Sequence, residues 1–122
     1  MQEWEELGNE ITERWNEVHK KSMITLLILL ALTERPMWSK ELEDWCADAA
    51  GWEISERGLH RTLKRMNGLG LTSYEENDAP RTGVKRKKYA LTDFGASVLK
   101  DIKKSSLKYL YNDSFMKSLG KI

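Results

Sequence analysis

The stretch "SERGLHRTLKRMNGLGLTSYEENDAPRTGVKRKKYALT", Ser55 to Thr92, sets a helix pattern directly before a hairpin pattern and loads both with positive charge. In its first part Leu59, Leu63 and Met66 recur at steps of four and three, the spacing of one buried helix face. Ser55 is placed to cap that helix, and Gly68 or Gly70 to end it. Arg57, His60, Arg61 and Lys64 occupy the other side. The following "LTSYEEN" is rich in β-formers and alternates like a strand. "DAPRTG" then supplies turn chemistry through Asp78, Pro80 and Gly83, and "VKRKKYAL" returns as a second strand with Val84, Tyr89 and Leu91 as its apolar members. Tyr89 is expected to pack inward as the anchor of this hairpin. Five cations fall within the eight residues from Arg81 to Lys88, in a chain whose formal net charge is only +1.

Upstream lies the most apolar run of the chain, "MITLLILLAL", Met23 to Leu32. It is about half of the roughly 20 residues that a bilayer-spanning helix needs, so it reads as a buried core helix rather than a membrane span. Ser22 is expected to open this helix after a joint at "HKKS", and Pro36 to end it. The short "PMW" can run extended. Ser39 is expected to cap the next helix, with Glu43 in its first turn, Leu42, Trp45, Cys46 and Ala49 on its inner face, and Gly51 as its stop. Before the joint, Trp4, Leu7, Ile11, Trp15 and Val18 form one apolar stripe on a helix whose outer face is acidic. Two readings of that stripe stay open: a helix laid over the core, or a docking helix for a second subunit.

Downstream, Thr92 is expected to cap a final helix, with Asp93 in its first turn and Phe94, Val98, Leu99 and Ile102 as its inner stripe. Leu107, Leu110, Tyr111, Phe115 and Leu119 continue the apolar positions past a bend near Ser105 and Ser106. A helix of that length exceeds what one small core can cover, so its far half is expected to meet another chain.

The 122 residues suffice for one domain with one core. Cys46 is the only cysteine, and His19 and His60 are the only histidines. No disulfide, metal site or cofactor is expected, and a reducing, cytoplasmic setting fits best. Enzymatic chemistry is not indicated either. No Gly-rich phosphate loop follows a strand, Cys46 lacks a triad-like histidine, and the neighbouring Glu75 and Glu76 point to opposite faces of their strand.

The order of elements predicts a mainly α fold with a small antiparallel β-hairpin, the winged helix-turn-helix plan. Residues 1–21 would form an N-terminal dimerisation helix, 22–91 the winged helix domain and 92–122 a C-terminal dimerisation helix. In this plan the third core helix enters the DNA major groove and the hairpin, or wing, lies along phosphates. Arg57, His60, Arg61 and Lys64 would face base edges or nearby phosphates, arginine being suited to bidentate contact with guanine. Arg81, Lys85, Arg86 and Lys87 would hold the backbone. The acidic residues of the N-terminal helix and Glu75, Glu76 and Asp78 are expected to leave the DNA face basic. A rival reading makes the same fold a protein-interaction module whose basic hairpin docks an acidic partner.

The blocks "LLILLALTERPMWSKELEDW", "SERGLHRTLKRMNGLGL" and "RKKYALTDFGASVL" together resemble the PadR family of transcriptional regulators over roughly Ile24 to Leu99. Ser55, Gly58, Leu59, Leu63, Arg65, Gly70 and Leu71 match the family's middle block, and Lys87, Tyr89, Leu91, Thr92 and Gly95 the last. "WSKE" stands where the family has "HGYE", and His60 where it usually has tyrosine. The resemblance implies a DNA-binding regulator, mostly a dimeric repressor, with Ser55 among the DNA-binding residues. It also implies a homodimer interface built from Trp4, Leu7, Ile11 and Trp15 at one end and Leu107, Leu110, Tyr111 and Phe115 at the other. Some members respond to phenolic acids or hold flat aromatic drugs between subunits, which makes a small aromatic effector near Trp4 and Trp15 a further expectation beside a packed interface.

Overall fold

The computed structural model describes residues 2–122, and its longest element is helix α1, Gln2–Glu34. Helix α1 runs unbroken through "HKKS", so the expected joint at residue 22 is absent. Nothing in those four residues interrupts a helix. The Ser22 hydroxyl, instead of capping a new start, donates to the His19 carbonyl at 2.9 Å within the same helix. At 33 residues α1 is about 50 Å long. Only its last third is buried, at Leu26, Leu27, Ile28, Leu29, Ala31 and Leu32. Glu34 is its last residue, because a residue preceding proline is pushed out of the helical region and Arg35 precedes Pro36.

Met37–Trp38 form strand β1, followed by helix α2, Ser39–Ala50. Trp38, not Ser39, holds the N-cap position of α2, and its side chain makes no cap bond. The capping is done by Glu41, whose carboxylate accepts from the Trp38 N–H at 3.1 Å and pairs with Arg35 at 2.7 Å. The backbone N–H and then the Arg35 guanidinium hold the Glu41 carboxyl below its usual range. Gly51 ends α2 in the left-handed conformation with φ 80°, as a helix-stopping glycine does. Leu42 and Cys46 give α2 its buried face, Trp45 is half-buried with its indole N–H donating to Glu34, and Ala49 lies outside it, exposed.

Helix α3, Glu56–Gly68, starts at the expected cap: the Ser55 hydroxyl accepts from the Gly58 N–H at 2.9 Å. Leu59, Leu63 and Met66 are its buried line. Strands β2, Thr72–Asp78, and β3, Lys85–Leu91, form the hairpin, and β1 joins the outer side of β3, giving an antiparallel sheet of order β1-β3-β2. The expected two-stranded wing therefore has a third strand at its base. Met37 lies opposite Tyr89 and Trp38 opposite Lys88. Val84 falls in the turn and is exposed rather than serving as a strand residue. Tyr89 is buried, as expected of the anchor.

Helix α4, Asp93–Ser106, is capped by the Thr92 hydroxyl, which accepts from the Gly95 N–H at 2.9 Å. The same hydroxyl lies 2.7 Å from the Gly70 carbonyl and 3.0 Å from that of Leu71. The Thr92 N–H donates to the Leu71 carbonyl as well, at 3.2 Å. Thr92 thus ties the end of β3 and the start of α4 to the turn between α3 and β2. Val98, Leu99 and Ile102 pack on the core, but Phe94 points outward and is exposed. The expected long terminal helix is divided: α4 ends at Ser106, a 3-10 turn spans Lys108–Tyr111, and helix α5 covers Asp113–Gly120. Asn112 supplies the break by capping α5, its side-chain oxygen accepting from the Phe115 N–H. No residue of α5 is buried.

One core holds these elements together. Ile28 and Leu29 of α1, Met37, Leu42 of α2, and Leu59, Leu63 and Met66 of α3 are fully buried in it. Each such side chain stabilises the fold by about 2 kcal/mol through area removed from water. Cys46 belongs to this core, and burial raises its thiol pKa to about 12. Thiol-directed reagents should therefore label the native chain at least a thousandfold or so more slowly than free cysteine at pH 8. Labelling should reach the ordinary rate in denaturant. Equal rates in both states, followed by mass spectrometry, would show the thiol to be accessible.

Candidate nucleic-acid interface

The surface of α3 that turns away from the core carries Arg57, Arg61 and Lys64, all exposed, with His60 to one side. Three arginines repeat at four-residue steps, Arg57, Arg61 and Arg65, a ladder spanning about 12 Å along the helix. This ladder faces α1. Between the two helices lies a groove of about 570 Å³ lined by Lys21, Ser55, Arg57, Arg61 and Arg65, among others, with no acidic residue in its wall. Arg65 reaches across it to donate to the Thr25 hydroxyl at 3.3 Å. Lys21 and Arg65 were not among the expected site residues. A stripe count along α3 could have found Arg65. Lys21 is visible only once α1 is known to be continuous and laid beside α3.

His60 and Lys64 stand on the neighbouring face of α3, outside that groove. Glu56 lies 3.9 Å from the His60 Nε2, one turn back.

The wing differs from its expected arrangement. Side chains alternate along a strand, so Lys85 and Lys87 share the face of buried Tyr89 while Arg86 and Lys88 take the opposite one. The expected row Lys85, Arg86, Lys87 is not presented on one surface. Arg86 lies over the Trp38 indole at 3.9 Å from its centre, with Lys88 over the same ring at 5.3 Å. Lys87 lies over Tyr74 at 4.5 Å. Such cation–π contacts hold a guanidinium or ammonium in place without neutralising it. Arg81 is in the hairpin turn, exposed.

The acidic residues of β2 are also closer to the wing cations than expected. Glu75 lies directly opposite Lys88, Glu76 opposite Lys87 and Asp78 opposite Lys85. Arg86 faces the neutral Asn77. Opposite charges across a strand pair attract and stabilise the ribbon, at the expense of its net field. The lysines of the wing thus lie opposite acids, though without an ion pair within 4 Å among the described residues, and Arg81 and Arg86 face none, whereas on α3 only His60 has an acid beside it.

The residues expected at a subunit interface are far from this basic surface in kind. Trp4, Leu7, Ile11, Trp15 and Val18 are between 55% and 80% exposed, so the stripe does not cover the chain's own core. Trp15 stacks on His19 at 4.8 Å, and His19 meets Trp52 edge-on at 5.8 Å. Leu110, Tyr111 and Phe115 are exposed, while Leu107 is half-buried between α4 and the 3-10 turn. Beside them Lys100, Lys103, Lys104 and Lys108 gather around a shallow hollow that also contains Asp101 and Tyr111. No cluster of His, Cys, Asp and Glu that could hold a metal ion occurs among the described residues. No described helix is long and apolar enough to cross a membrane.

Comparison with solved structures finds the same fold in several transcription regulators. A PadR-like transcription factor from Bacteroides fragilis superposes with a TM-score of 0.68 at 24% identity, over 84% of this chain and 98% of that one. A PadR family transcriptional regulator from Eggerthella lenta gives 0.65 at 22% identity, over 93% and 95%. PadR of Bacillus subtilis, solved in complex with operator DNA, gives 0.59 at 21% identity, over 65% of this chain and 46% of that one. No family sequence model matches the chain. No curated protein matches it by sequence.

Proposed function

From its PadR-like winged-helix fold and the uncompensated basic face of α3, we propose that this chain is a double-stranded DNA-binding transcription regulator, acting as a homodimeric repressor. The observation that carries the reading is the exposed Arg57, Arg61 and Lys64 face on the helix that this fold presents to DNA. Arginine side chains there have the forked geometry for guanine edges, and lysine a point charge for phosphate. The Bacillus subtilis structure, which shares the fold and was solved with operator DNA, supports reading this chain as a DNA binder. Ser55 contributes by fixing the start of α3, and Arg81 and Arg86 are the wing cations free to meet the backbone.

The two apolar surfaces that the core leaves uncovered support the dimer. An acidic arm, with Glu3, Glu5, Glu6, Glu10, Glu13 and Glu17 flanking its tryptophans, complements the lysine-rich α4 and the apolar α5 region of a second copy. A twofold dimer of this kind would read a pseudo-palindromic site. An aromatic effector between two arms would meet chiefly Trp4, which is 80% exposed, since one face of Trp15 is taken by His19.

Selection of bound duplexes from a random pool tests the function directly. The wild-type chain should enrich a site with two symmetric half-sites. Arg57→Ala and Arg61→Ala should each weaken binding to that site about tenfold or more, as expected for the loss of a base-contacting arginine. No enriched sequence, or wild-type affinity in both variants, would overturn the reading.

A further inference from the structure

We propose that the groove between α1 and α3 is the principal phosphate seat of the molecule, with Lys21 and Arg65 as backbone contacts that outweigh the wing. The proposal rests on the DNA-binding reading and names where most of the backbone charge is met. Its first support is electrostatic. Lys21, Arg57, Arg61 and Arg65 converge on one groove whose wall holds no carboxylate. Several cations elsewhere stand beside acids: Lys40 with Asp44, Arg35 with Glu41, and Lys85, Lys87 and Lys88 across from Asp78, Glu76 and Glu75. Gathering four like charges without a counter-charge raises the energy of the free protein, and the arrangement becomes favourable when a polyanion enters.

Geometry supports it too. The three arginines follow one another along α3, and Lys21 approaches from a second helix, so a strand lying in the groove is met from both sides. Arg65 is steadied by its hydrogen bond to the Thr25 hydroxyl of α1. Ser55 lines the same groove at the first turn of α3. The wing, by contrast, is already partly neutralised by its own partner strand, so a phosphate approaching Lys85 or Lys87 gains less and displaces fewer counterions.

The salt dependence of binding separates these contributions. Fluorescence anisotropy with a labelled duplex, titrated at several salt concentrations, gives the slope of log affinity against log salt. Lys21→Ala should reduce the slope by about 0.9, and Lys21→Ala with Arg65→Gln by nearly two. Lys85→Ala with Lys87→Ala should reduce it by clearly less than the groove pair. Lys21 is exposed and forms no ion pair with a described residue, so its replacement leaves the fold intact, which circular dichroism and a thermal melt verify. An unchanged slope in Lys21→Ala overturns the proposal, as does a larger loss from the wing pair than from the groove pair. A wild-type chain that binds no duplex at low salt overturns the underlying DNA-binding reading instead, a distinct result.

Discussion

Gly95→Ala lowers the unfolding free energy by about 3 kcal/mol, the upper end of what overpacking usually costs. A Cβ added at position 95 would collide with the Leu71 carbonyl oxygen and stand 2.8 Å from Leu91 Cδ1. The first obstacle is backbone and cannot rotate aside. That carbonyl also receives the Thr92 N–H at 3.2 Å, so moving it breaks the tie between β3, α4 and the turn after α3. In a domain this size the melting temperature should fall by about 10 °C or more. Gly68→Ala is the matched control: it lies in α3 with nothing within 4 Å of the added Cβ. That change should be neutral or stabilise by about 0.5–1 kcal/mol, because alanine has the higher helix propensity. Chemical denaturation of both variants checks the contrast. Equal stability in the two would mean that α4 does not approach Leu71 as closely as described.

The second large effect concerns association. Ile11→Glu with Trp15→Glu should convert the chain to a monomer, seen by analytical ultracentrifugation, and weaken binding to a full two-half-site duplex about a thousandfold. Ile11 and Trp15 are 61% and 63% exposed in the single chain, at the centre of a stripe with no covering element. A tryptophan anchor at the centre of an interface contributes about 2–4 kcal/mol, and the two replacements also place carboxylates in an already acidic arm. Binding to a single half-site should change less, since neither residue lines the groove between α1 and α3. A dimer persisting at micromolar concentration would remove the arm from the interface.

Much of this molecule was legible in its sequence because the deciding signals are local. Ser55 and Thr92 cap the helices expected of them, Gly51 stops α2, and Tyr89 is buried. The winged-helix order of elements follows from periodicity together with the capping, stop and turn residues. Other features depend on non-local contacts. Met37–Trp38 became a strand only because β3 offers an edge, and Glu41 rather than Ser39 caps α2 because the Arg35 guanidinium helps hold it there. The "HKKS" joint was inferred from polarity, yet polarity on an exposed helix face is no break. Charge was the hardest to judge. A linear run of cations at residues 85–88 looked like one basic surface, and strand alternation together with Glu75, Glu76 and Asp78 across the ladder divides and offsets it.

The unbroken α1 has a mechanical consequence. In a dimer held by its arms, no hinge would separate the contact between subunits from the proposed phosphate seat, for Lys21 and the core residues between Leu26 and Leu32 ride on the same rod. A tilt of about 10° where two arms cross, acting over the roughly 25 Å that they project, would shift each DNA-reading head by about 4 Å. The distance between the two α3 helices is then a matter of crossing angle, with no slack to absorb it.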